Sequence, residues 1–115
     1  MNNFKNEIPI ITKFYEVYKI FYGYLELFPK KDKYALGGKC ETQIIQIMEL
    51  IFLASAAPRE KKKEIISEAS AKFDLLKLFI RLANDLKILD RKKYLIIQSY
   101  LQEIGRMIGG WQKSL

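Results

Sequence analysis

Apolar residues recur at intervals of three and four through four stretches of the chain, the spacing of helices that each bury one face. The first stretch, about residues 9–28, carries Ile11, Phe14, Tyr18, Phe21, Leu25 and Phe28. The second, about 32–57, carries Leu36, Cys40, Ile44, Ile47, Ile51 and Ala54. The third, about 59–87, carries Ile66, Ala69, Phe73, Leu76, Ile80 and Ala83. The fourth, about 91–113, carries Tyr94, Ile97, Leu101, Ile104, Ile108 and Trp111. No strand-like alternation competes. Pro9, Pro29 and Pro58 punctuate the pattern, as proline suits a first helical turn and disfavours helix in the residue before it. Asp32 and Asp90 stand where N-caps of the second and fourth helices are expected. Short connections make successive helices antiparallel, so the expected fold is all-α: one up-down-up-down four-helix bundle spanning residues 1–115.

The apolar faces are wider than one bundle core needs. Tyr15, Val17, Tyr22 and Tyr24 widen the first helix, and Ile45, Met48 and Phe52 the second. Leu75, Leu78, Phe79 and Leu82 widen the third, and Leu95, Ile96, Tyr100 and Met107 the fourth. Patches of that size point to self-association, with a thick core edged by tyrosines as the alternative. All six glycines fall inside helical patterns rather than in the expected turns. Gly105 and Gly109 share one helix face. They are expected to form a flat strip beside the Ile104, Ile108 and Trp111 seam, open to a close neighbour. A C-cap at Gly109-Gly110 is the other reading.

Composition narrows the chemistry. Half of the 115 residues are hydrophobic, which argues against disorder. The chain has no histidine, hence neither the commonest general base nor the commonest metal ligand. Its single cysteine, Cys40, builds no disulfide or thiolate metal site and lacks an activating base. No serine lies in a nucleophile motif, and no glycine pair has phosphate-loop spacing. Glu68 and Lys72 form a helix-stabilising i, i+4 pair instead. The expectation is a protein with no catalytic residues, metal or cofactor. No secretory pattern opens the chain, and no apolar run approaches a membrane span, so a soluble cytoplasmic protein without membrane contact is expected.

Charge is the remaining signal. Twenty Lys/Arg against thirteen Asp/Glu leave a net +7, which favours anionic partners. In an up-down bundle the first and third turns share a pole. That pole collects Lys30, Lys31, Lys33, Lys87, Arg91, Lys92 and Lys93 against Asp32, Asp85 and Asp90. Arg59, Lys61, Lys62 and Lys63 occupy the other pole, with Lys5 and Lys113 near the termini. Lys39, Lys77 and Arg81 are candidates on the sides. Cations in first helical turns oppose the helix dipole, so stability alone does not select them.

Two strings carry a resemblance. "FPKKDKYALGGKCE" (Phe28 to Glu41) and "EIGRMIGGWQKSL" (Glu103 to Leu115) resemble signatures of the accessory variability determinant (Avd) family of diversity-generating retroelements. A related branch is encoded in intervening sequences of bacterial ribosomal RNA genes. The string from Ala71 to Tyr94 resembles the family's third helix and following turn, and Tyr34, Ala35, Leu36 and Gly37 match its Tyr/Phe-x-Leu-Gly element. The resemblance covers about residues 10–115, and the Gly-Gly-Trp ending favours the Avd branch. It implies a four-helix bundle assembled as a barrel-like homopentamer. It also implies a non-catalytic protein that binds the reverse transcriptase and its template RNA in mutagenic cDNA synthesis; DNA is a further expected partner. The alternatives are a ribosomal-branch or stand-alone nucleic-acid-binding bundle, or a purely structural oligomer. Lys33 and Lys39 stand where the family commonly has arginine, which keeps charge but not the bidentate fork.

Overall fold

The computed structural model describes residues 8–115, and Lys5 lies outside them. Those residues form four long helices and one short helical turn: α1 (Ile8–Leu25), α2 (Lys30–Lys33), α3 (Leu36–Ala56), α4 (Arg59–Asp85) and α5 (Arg91–Lys113). The long helices run up and down in chain order. α1 packs against α3 and α5, and α4 packs against the same two. The bundle measures 43 × 22 × 22 Å.

The periodic seams are what they bury. All six seam positions of α4 are buried, as are Ile97, Leu101, Ile104 and Ile108 of α5 and Cys40 to Ala54 of α3. Along α1, Phe14 and Phe21 are buried as expected, while Ile10 and Val17 join them ahead of half-buried Ile11 and Tyr18. Each large side chain removed from water contributes about 1.5–3 kcal/mol. Phe14 and Phe73 meet edge to face at 6.0 Å, linking α1 to α4 across the diagonal of the core.

The helix ends differ from the sequence expectation at two turns. The first helix stops at Leu25, not Phe28, and the second does not begin at Asp32. Phe28 must turn inward against Phe21, 5.8 Å away, and Pro29 disfavours helix at Phe28. Pro29 then opens the one-turn α2, so Asp32 lies inside that turn and is not an N-cap. Ala35, with φ −108° and ψ −97°, breaks the chain again, and α3 starts without a side-chain cap. The buried Gly37 lets this corner close. A Cβ there would collide with Leu25 Cδ1 and come within 3.1 Å of both the Asp32 carbonyl oxygen and Phe28 Cδ2. At the third turn α4 ends at Asp85, and Lys87 takes the left-handed conformation at φ 61°. That geometry lets the Ile88 amide donate to the Ala83 carbonyl at 2.9 Å. It also turns Leu89 into the core, where Asn84 Nδ2 donates to its carbonyl at 3.1 Å. Asp90 does cap α5: its Oδ1 accepts from the Lys93 amide at 2.8 Å.

Gly37→Ala is expected to lower stability by about 1–2 kcal/mol in urea unfolding, because the crowded corner outweighs alanine's helix propensity. Gly23→Ala, where an added Cβ meets nothing within 4 Å, should raise it by about 0.5–1 kcal/mol. Lys87→Gly relieves the left-handed strain and should gain about 1 kcal/mol.

A pH dependence follows from the cap. The bonds that Asp90 accepts from the Lys93 amide and ammonium hold its carboxyl below the usual 3.8. A carboxylate depressed in the folded state stabilises above its unfolded value and loses that contribution as pH falls through the folded one. Thermal melts should therefore show Asp90→Ala below the native protein at neutral pH, with the gap narrowing as pH drops past 3.8.

Candidate nucleic-acid interface

Two contacts fix which turns share a pole. Lys93, ion-paired to Asp90 at 2.9 Å, lies 6.0 Å over the ring of Tyr24 near the end of α1. The α4–α5 turn therefore sits beside the α1–α3 turn. At the opposite end Arg59 Nη2 donates to the Ser114 carbonyl at 3.3 Å, joining the start of α4 to the end of α5.

The first pole brings together the lysines that the turns carry. Lys30, Lys31, Lys87, Arg91 and Lys92 are exposed and Lys33 half-buried. None of these six has a side-chain hydrogen bond or ion pair among the described residues. At the other pole Lys61, Lys63 and Lys113 are exposed, but Lys62 is engaged. Its ammonium donates to the carbonyls of Ala54 at 2.6 Å and Ser55 at 3.2 Å, closing the C-terminal end of α3. Lys39 is exposed in the first turn of α3, beside the first pole and not on a long side of the bundle. Lys72 reaches Gln46 across the α3–α4 junction at 3.1 Å.

The long sides of the bundle differ from one another. Helical spacing of 100° per residue, anchored by interhelical contacts, assigns each side chain to a side. Along α1 and α3, Tyr15 and Tyr22 stand with Ile45 and Phe52, all exposed. Tyr18 joins the same two helices, donating to Glu41 at 2.9 Å, a bond that raises the phenol above its usual range. Along α3 and α4, Leu53, Leu75, Leu82 and Leu86 are exposed. An open apolar groove of about 1050 Å³ runs around the middle of α3, with Met48, Leu50 and Phe52 in its wall. Between α1 and α5, charge is matched: Lys13 pairs with Glu103 at 3.1 Å and lies 5.2 Å over Tyr100.

The fourth side, between α4 and α5, carries cations from both of these helices, with Leu78 and Leu95 exposed at its outer edges. Arg59, Lys63, Lys77 and Arg81 project along the α5 side of α4, and Arg91 along the α4 side of α5. Lys77 is anchored there by Asp74 at 3.4 Å and by the ring of Phe73 at 5.1 Å. Arg106, exposed on α5 and about 60° in helical phase beyond Arg91, stands at the outer edge of this side. The sequence reading passed over it because it lies in no cluster along the chain; only its helical phase relative to Arg91 signalled it.

The glycine strip belongs to this side as well. A Cβ on Gly105 would meet Phe73 Cε2 at 3.4 Å, an ordinary contact, and one on Gly109 would meet nothing within 4 Å. Among the described residues no helix lies close over Gly109, and Trp111, half-buried against the core, falls on the other flank of α5. Gly105 and Gly109 are thus a shallow floor beside α4, not a site of close packing among the described residues.

Cys40 is buried, and that burial pushes its thiol up to about 12. Among the described residues, no group of three carboxylate or thiol side chains is placed to hold a metal, and no helix is long and apolar enough to cross a membrane. No curated protein matches the chain. A family model described as bAvd-like matches residues 9–115, the four helices and all their turns, and the chain belongs to that bAvd-like family.

Proposed function

We propose that the chain is a non-enzymatic accessory protein of a diversity-generating retroelement. It binds the reverse transcriptase and template RNA and supports mutagenic cDNA synthesis. The observation that carries this reading is the family match over nearly the whole chain. Its charge supports the RNA limb. Lysine and arginine neutralise phosphates and release counterions without reading sequence. The exposed apolar residues around α3 support the assembly limb, a homopentamer in which these sides are covered by neighbouring copies.

Three measurements test it. Expressed together with a reverse transcriptase of a diversity-generating retroelement, the protein should co-purify with that enzyme, and its absence from the purified enzyme counts against the role. Filter binding to single-stranded RNA should show log affinity falling with log salt at a slope near about −4 for six phosphate contacts. A flat dependence rules out the electrostatic model. Light scattering at micromolar concentration should give an oligomer for the native protein and a monomer for Phe52→Glu with Leu53→Glu, with the helical signal retained in both.

A further inference from the structure

Resting on the RNA-binding reading above, we propose that the side between α4 and α5, rather than the lysine pole, is the seat of a single RNA strand, with Arg81, Arg91 and Arg106 as its anchors.

The argument begins with where arginine was used. The chain has four arginines among its twenty cations, and all four lie on α4 or α5. Lysines are scattered over every helix. Arginine's planar fork matches phosphate oxygens bidentately and stacks on bases, whereas lysine is a hydrated point charge. Arg59 is held by the Ser114 carbonyl. Arg81, Arg91 and Arg106 are exposed and make no hydrogen bond or ion pair among the described residues.

The alternatives on the long sides are closed by their own chemistry. The two sides flanking α3 are lined by exposed leucine, isoleucine, phenylalanine and tyrosine, a poor surface for phosphates. The side between α1 and α5 neutralises Lys13 with Glu103. Between α4 and α5 the acids are Asp74, already paired with Lys77, Glu60 at one end and Asp85 one turn from Arg81 at the other, and the exposed leucines there, Leu78 and Leu95, stand at its outer edges. The remaining polar groups there, Ser67, Gln98 and Gln102, donate or accept hydrogen bonds without repelling phosphate.

The shape suits a strand. Gly105 leaves only an ordinary contact to Phe73, and a Cβ at Gly109 would meet open space. The floor is therefore low where a backbone has to approach. Lys77 and Arg81 are one helical turn apart, about 6 Å along the axis, so successive cations follow a track and do not converge on one point. At one end the track runs through Arg91 into the lysine pole. The pole then acts by attraction at a distance, which salt screens, while the side between α4 and α5 makes the contacts.

The test is fluorescence anisotropy with a labelled oligo(U) strand, using the full chain at physiological salt. Arg81→Glu with Arg106→Glu should weaken binding at least about tenfold and flatten the salt slope by about 1.4, the share of two single-strand contacts. Lys30→Glu with Lys31→Glu should weaken it less than about threefold. Arg81→Gln with Arg106→Gln, which adds no repulsion, should still flatten the slope, and circular dichroism and light scattering keep each variant comparable with the native protein. Native-strength binding by the α4–α5 variants overturns the seat and leaves RNA binding standing. The same result with loss of reverse transcriptase co-purification assigns that side to an acidic protein surface. No oligo(U) binding by the native protein overturns both the seat and the RNA limb on which it rests.

Discussion

The edge-to-face contact of Phe14 with Phe73 spans the diagonal of the bundle, and the other seams close around it. A diagonal contact between aromatic rings fills the space where four helices meet and fixes how far apart they stand. Once α1 and α4 are tied through the centre, α3 and α5 occupy the two remaining corners, each touching both. Every surface property depends on that arrangement. The residues beside the seam on α3 become the walls of the apolar sides, and the residues beside the seam on α5 become the wall of the cationic one.

This opposition of corners gives the molecule two surfaces of unlike chemistry that do not overlap. Apolar area around α3 gains free energy when another surface covers it, a gain that salt does not weaken. Cations along α4 and α5 gain from a polyanion and lose that gain as salt rises. An oligomer built through the α3 corner leaves the opposite corner outward. Under the proposed function, assembly and nucleic-acid binding would then be separable.

The turns show how much geometry each connection carries. Pro29, Ala35 and the buried Gly37 convert one expected connection into a folded corner with its own helical turn. Lys87 accepts a left-handed backbone because the chain must return Leu89 to the core within a few residues. Lys62 is spent on the carbonyls that end α3. A cluster of lysines read along the chain thus divides in the fold into a structural member and solvent-facing ones.

The period of apolar residues, read alone, determined the number of helices, their seams and their antiparallel order, because burying one face of a helix is a local pattern repeated every turn. Asp90 was legible as a cap for the same reason, since its partner amide lies three residues on. The corner at Gly37 was not legible, because the atoms that exclude a Cβ come from Leu25, Phe28 and Asp32, brought there by the turn. Nor was the cationic side. Clusters along the chain drew attention to the pole, while Arg81, Arg91 and Arg106 are far apart in sequence and share a side only when α4 and α5 pack antiparallel. The glycines of "EIGRMIGG" changed meaning on the same ground. Spacing put Gly105 and Gly109 on one face, but only the neighbouring helix decided that this face opens beside α4, where nothing among the described residues covers Gly109.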